Sequence, residues 1–340
     1  MSERTDGITS ARSGRHTTLA EAEAEGIGAM LRGVADEIAT VVEGKREAID
    51  RTLTVLLAGG HLLVEDVPGV GKTVLAKSLA AAIGAERHRI QFTPDLLPGD
   101  ITGASIFDQA TREFVFRPGA VFTHVLLADE INRASPKTQS ALLEAMEERQ
   151  VTVDSVTYAL EEPFMVIATA NPVEMEGTYR LPEAQRDRFT AQISLGYPMA
   201  DAEARMLAHQ TAPLGAGLRD AVEGIRPRAD TAAVAHAVEA TRRVHTDRVL
   251  LDYVVRLGRA TREHPALALG ASPRAGVHLV RAAKARAVMA GRAWAVPEDV
   301  RDVVGPVWHH RLHLAPQAVS RGTAAGDVLA DILATTPVRA

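Results

Sequence analysis

Apolar residues along this chain follow two rhythms. Between about residue 60 and residue 195 they come in short solid runs set off by turn residues, at 62–64, 125–128 and 164–169. Runs of that length without polar alternation are predicted to be strands buried on both faces of a sheet. Residues 88–92 and 190–195 read as two further strands. Between them, residues 47–57, 72–79 and 136–148 repeat apolar positions at helical spacing, as in Ile49, Leu53, Leu56 and Leu57. Strands alternating with helices predict an α/β fold, a parallel sheet flanked by helices. Two short hairpins, near 103–118 and 150–162, interrupt the alternation. An insert of this kind is odd in a plain nucleotide domain and points to a function of its own.

Beyond Tyr197-Pro198 the rhythm changes. Residues 204–209, 232–244, 250–262, 275–289 and 297–304 are alanine-rich amphipathic stretches separated by Gly and Pro. They predict a separate all-helical domain over 199–335, after a core over 36–198. Ser272-Pro273-Arg274 opens one of its helices with a cap and a proline in the first turn. Residues 1–35 are polar, small and glycine-bearing. They predict a flexible N-terminal extension, with a frayed helix at most near 19–31.

The first run of strand character leads into Asp66-Val67-Pro68-Gly69-Val70-Gly71-Lys72-Thr73-Val74 and then a helix. Strand, glycine turn and helix in that order form a phosphate cradle, because loop N–H groups and the positive helix end face an anion. Lys72 is positioned to reach β- and γ-phosphates, and the Thr73 hydroxyl to bind Mg²⁺. Asp66 stands where this motif usually has its first glycine. Only 5 of the 38 basic residues are lysines, so a lysine at this one place suits a compact point charge on a flexible stem.

A second signal is Asp129-Glu130, two carboxylates at the end of the 125–128 strand. Ligands of parallel sheets bind at that edge. Asp129 is expected near Mg²⁺, with Glu130 orienting and polarising water. Asn171 ends the 164–169 strand, where an amide could hold the attacking water.

Composition narrows the classes. The apolar and charged fractions, 46% and 24%, are those of a globular protein. A net charge of −5 and an aromatic fraction of 4% argue against nucleic acid as a partner. The absence of cysteine excludes a thiolate zinc site and a cysteine nucleophile. No apolar run approaches the ~20 residues of a membrane span, and the first 35 residues hold no signal core, so a cytoplasmic location is expected.

Taken together, residues 63–73, 127–134, 168–172, 181–189 and 271–274 resemble, in order and spacing, the AAA+ ATPases and specifically the MoxR family. The resemblance spans residues 36 to about 310. It implies an AAA+ core with a helical lid, ATP and Mg²⁺ as cofactors, and ATP hydrolysis. It also implies a ring homo-oligomer, usually a hexamer, that remodels or matures a partner protein, often one with a von Willebrand factor A domain, for metal cofactor insertion or complex assembly. Aspartate in place of the first glycine is common in that family. The hairpins then match its helix-2 and pre-sensor inserts. Asn171 matches sensor 1, Arg188 the arginine finger and Arg274 sensor 2, acting within its own subunit. Val42 and Gly44 lie where such folds touch adenine. Arg133 and Arg186 are rivals for the finger role. Three other functions stay open at this level: a DNA-dependent motor, a metal-chelatase ATPase subunit and a small-molecule P-loop kinase.

Overall fold

The computed structural model describes residues 18–171, 179, 181–210 and 221–338. The chain enters through α1 (Glu21–Ala39) and α2 (Arg46–Leu57), then runs β1 (Leu62–Glu65), α3 (Lys72–Ala82), β2 (Arg87–Gln91) and α4 (Pro98–Thr102). The first hairpin, β3 (Ala104–Asp108) and β4 (Glu113–Arg117), leads to β5 (Val125–Asp129) and α5 (Pro136–Glu148). A second hairpin, β6 (Gln150–Val153) and β7 (Val156–Ala159), precedes β8 (Met165–Ala170), α6 (Glu183–Arg186) and β9 (Ala191–Ile193). The helical part comprises α7 (Ala200–Gln210), α8 (Thr231–Arg242), α9 (Arg248–Glu263), α10 (Pro273–Met289) and α11 (Pro297–Trp308). The short α12 (Pro316–Ser320) and α13 (Ala325–Thr335) close it, and β10 (Leu267–Leu269) pairs antiparallel with β11 (His313–Leu314).

Five strands form the main sheet in the order β2-β5-β8-β1-β9, all parallel. The pleat divides each buried strand between two cores, because successive side chains point to opposite faces. Leu63, Leu126, Val166 and Ala168 pack with α5, while Leu62, Val64, Leu127 and Ile167 face α2 and α3. That is why the strand runs carry no polar alternation.

The second core does not stop at the α/β half. It continues without a break through α1 and α2 into α8, α10 and α11. The helical part therefore shares its core with the α/β part. The sequence also gave no sign of β10, β11 and α13.

The flexible extension expected over residues 1–35 does not hold beyond residue 17; residues 1–17 lie outside the described residues. α1 is a regular helix whose Ala24, Ile27, Leu31, Val34 and Ile38 are buried. Gly28 lets it lie directly on α10, since a Cβ there would stand 2.9 Å from the Val288 carbonyl oxygen. At its other end, Glu37 accepts the Arg226 N–H at 2.9 Å and pairs with Arg228 at 2.7 Å. Short polar residues between the apolar ones masked this stripe, and the buried partner surface of α10 supplies the stability that local propensity lacks.

Candidate active site

β1 ends at Glu65, and the turn that follows uses left-handed backbone at Gly69 (φ 85°) and Gly71 (φ 94°), which glycine adopts without strain. α3 starts at Lys72, so the loop N–H groups and the helix N-terminus converge on one concavity. Lys72 Nζ donates to the Asp66 carbonyl oxygen at 2.6 Å, folding the ammonium back over the loop.

The Asp66 side chain is anchored elsewhere. Its carboxylate accepts from its neighbour's Val67 N–H at 2.9 Å, from Ser194 Oγ at 2.8 Å, and from the Leu195 and Gly196 N–H groups at 2.7 Å each. Burial alone would raise its pKa, but these four donors outweigh it and hold the carboxyl below the usual range. The aspartate thus ties the loop to the segment leaving β9.

β5 and β8 are adjacent, so Asp129, Glu130 and Asn171 reach the sheet edge beside the loop. Asp129 is buried, as is Asn171. Thr169, at the end of β8, donates its hydroxyl to Asp129 Oδ1 at 2.8 Å and accepts the Glu130 N–H at 2.9 Å. Glu130 sits in the left-handed region, φ 55°, which turns its side chain out of the strand line. From β2, Arg89 holds Asp129 Oδ2 through Nε at 2.9 Å and a second guanidinium nitrogen at 2.8 Å, and Gln91 donates to Glu130 Oε2 at 2.8 Å. Arg133 pairs with the same oxygen at 3.1 Å. Sequence reading missed Arg89, Gln91 and Thr169. The pairing of Gln91 with Asp129 across β2 and β5 brings Arg89 and Gln91 there, the β5–β8 pairing brings Thr169, and register is not visible in one strand alone.

Val42 is buried just after α1, and Gly44 follows in the turn to α2. Lys45 Nζ donates to the Tyr197 carbonyl at 2.7 Å, and Met199 packs on Gly44, so this turn adjoins the same β9 exit that Asp66 holds.

The arginines group at the opposite edge of the sheet. α5 starts beside Glu130 and runs back along the sheet, roughly 20 Å over its 13 residues. Arg149, next after it, donates to the Phe164 carbonyl at 2.7 Å and to that of Gly59, both ahead of their strands. Glu147, on the last turn of α5, pairs with Arg188 at 3.3 Å and with Arg274. Arg274 thus stands with Arg188 beside the far end of α5. The reason is packing, because α10 is held on this side by α1, α2 and α11. Arg186 turns away to Gln192 Oε1 at 2.9 Å and Glu65 at 3.7 Å.

Arg311 locks the Arg188 loop to the helical part. Its buried guanidinium donates to Asp187 Oδ1 at 2.6 Å and to the carbonyls of Asp187 at 2.9 Å, Phe189 at 2.6 Å and Thr190 at 3.2 Å. Desolvation lowers its pKa, and the Asp187 carboxylate opposes that shift.

A parallel sheet in this order, a phosphate loop, an acid pair on the neighbouring strand and a helical lid define an AAA-type ATPase. The family model "ATPase family associated with various cellular activities (AAA)" matches residues 61–191, and an AAA lid domain matches 259–332. The chain is 41% identical to Chaperone MoxR1 of Mycobacterium tuberculosis, over 84% of this chain and 76% of that protein. It is 35% identical to Protein MoxR of Methylorubrum extorquens, over 88% and 93%. A crystal structure from Cytophaga hutchinsonii, provisionally described as an ATPase, superposes with a TM-score of 0.86 at 36% identity, covering 94% of this chain and 98% of that one. The chain belongs to the MoxR family of AAA+ ATPases. No helix among the described residues is long and apolar enough to cross a membrane.

Proposed function

We propose that this protein hydrolyses ATP in a ring of identical subunits, a hexamer, and spends the cycle remodelling or maturing a partner protein in the cytoplasm. The partner class we favour carries a von Willebrand factor A domain, and metal cofactor insertion or complex assembly is the expected outcome. The observation that carries the reading is the meeting of the Lys72 loop with Asp129, Glu130 and Asn171 at the edge formed by three adjacent strands.

In this reading loop N–H groups and Lys72 hold the β- and γ-phosphates, and Val42 and Gly44 border the adenine. Thr73 and Asp129 offer hard oxygen donors of the kind Mg²⁺ prefers, and they are the residues that would hold it. Bound there, Mg²⁺ would neutralise charge on the phosphates. Glu130 orients and polarises the attacking water, aided by Asn171. Gln91 and Arg133 hold the Glu130 carboxylate in place in the isolated subunit, so water positioning requires that these contacts loosen.

Arg188 and Arg274 stand at the far edge, and so serve the phosphate of a neighbouring subunit rather than their own. A cation there offsets charge building on the transferred group, and such arginines contribute on the order of 10³–10⁵ in rate in GTPases. Hydrolysis then depends on assembly. The test is phosphate release by purified protein: Glu130→Gln should bind ATP, assemble and release almost no phosphate. Unchanged turnover in assembled Arg188→Ala would defeat the shared-site reading.

A further inference from the structure

Between α9 and α10 lies a groove of about 620 Å³ whose floor includes Val254, Gly258 and Gly276. It runs along α10 from Pro273 to Lys284, about 17 Å at the helical rise. Val255 and Val277 on its walls are 58% and 49% exposed, a large apolar surface for residues of a well-packed protein. The charged residues lining it, Arg242, Arg262, Arg281 and Lys284, are all basic. An apolar trough with a cationic rim calls for an apolar occupant with acidic flanks.

The chain itself offers such a piece. Tyr197 and Met199, 76% and 68% exposed, follow β9 and flank Pro198. The first turn of α7 behind them is acidic, with Asp201 and Glu203 exposed. The first hairpin, with Phe107 and Phe114 exposed, carries Asp108 and Glu113 against Arg112 and Arg117 and so brings no net acidic charge to the rim. Position also matches. On the arginine face the order is Arg188, Glu147, Arg274, then the groove, which begins at Ser272 and Pro273. On the phosphate-loop face it is Lys72, Asp66, the β9 exit, then Tyr197 and Met199 against Lys45 and Gly44. Setting Arg188 of one subunit at Lys72 of the next lays these two series side by side.

We infer that the Tyr197–Met199 knob of one subunit seats in the α9–α10 groove of its neighbour, with Asp201 and Glu203 meeting the basic rim. This rests on the ring reading above and names the surface that joins the subunits. Because Asp66 grips the backbone that leads to the knob, the contact links the phosphate loop of one subunit to the lid of the next.

The chain has no cysteine, so paired cysteines report cleanly. With ATP and a short bismaleimide, Met199→Cys/Val277→Cys is expected to give a ladder of covalent multimers on denaturing gels. Each single variant should give none. Val277→Glu, which puts a charge on the apolar wall, should raise the protein concentration needed for assembly at least about ten-fold, with the melting temperature of the subunit unchanged. Rings seen by mass photometry without a ladder, or a cross-link confined to one chain, overturn the docking and leave the ring standing. If neither wild type nor Glu130→Gln forms any multimer with ATP, the ring reading falls and this contact with it.

Discussion

The Asp66 carboxylate accepts the backbone N–H of Leu195 at 2.7 Å, so the residue that departs from the usual phosphate-loop pattern is bonded across two strands of the sheet. Its other acceptor positions are filled by Ser194, Gly196 and its own turn. Asp66→Gly would restore the commoner loop residue yet leave two partly buried N–H groups without a partner. We expect it to destabilise the fold by about 2–4 kcal/mol, since charge-assisted hydrogen bonds are lost together. Urea unfolding checks this, and equal stability of Asp66→Gly and wild type would show the anchor to be idle.

Arg274 shares the Glu147 carboxylate with Arg188, and we propose that from that edge it serves a neighbour. Arg274→Ala alone and Lys72→Ala alone are both expected to lose most ATP turnover. Mixed in equal amounts they should regain a measurable part of it. Lys72→Ala subunits still present Arg274 to neighbours whose phosphate loops are intact. An arginine acting within its own subunit would give no recovery on mixing.

Thr169 positions both members of the acid pair, donating to Asp129 and accepting from the Glu130 backbone. Thr169→Val keeps the shape but strands the Glu130 N–H, a cost of roughly 1–3 kcal/mol. ATP turnover should fall at least about ten-fold as the carboxylates lose their common support, while Thr169→Ser should restore most of it. Parallel measurements of turnover and melting temperature separate positioning from simple loss of stability, since Thr169→Ser and wild type should match in both.

His61 gives the fold a dependence on acid. Its Nε2 lies 3.0 Å from the Met146 carbonyl, so it donates there, while Nδ1 accepts the Val166 N–H at 3.0 Å. The second bond requires the neutral ring, because a protonated Nδ1 cannot accept, whereas the first survives protonation. Burial, and then the nearby charge of Arg149, push its pKa down to about 3. The unfolded chain takes up this proton near pH 6.5, earlier than the folded one does, so stability falls as pH drops from about 6.5 towards 3. At pH 5 this one group should cost on the order of 2 kcal/mol. His278, pushed down to about 3 by desolvation, acts in the same direction. The melting temperature of wild type should fall between pH 6.5 and 5. A His61→Gln variant with the same slope would refute the assignment.

Much of the core was legible because its signals are local. The strands over 62–64 and 125–128 were placed to within a residue of β1 and β5, since a solid apolar run between turns has few other uses in a doubly covered sheet. Both hairpins were visible for a similar reason, their strands alternating around turn residues. α1 was misjudged because its apolar stripe gains much of its stability against α10, which lies far along the chain.

The sequence by itself determined the phosphate loop, the acid pair and the family, because each depends on residues adjacent in the chain whose backbone geometry follows from glycine, strand and helix preferences. Only the tertiary structure decided that Asp66 clasps the β9 exit, that Arg89 and Gln91 hold the acid pair, that Arg311 clamps the Arg188 loop, and that Arg274 stands with Arg188. Those pairings are set by strand register and by the helix faces that share a core. Such choices are made by packing between distant segments, which no single stretch of sequence contains.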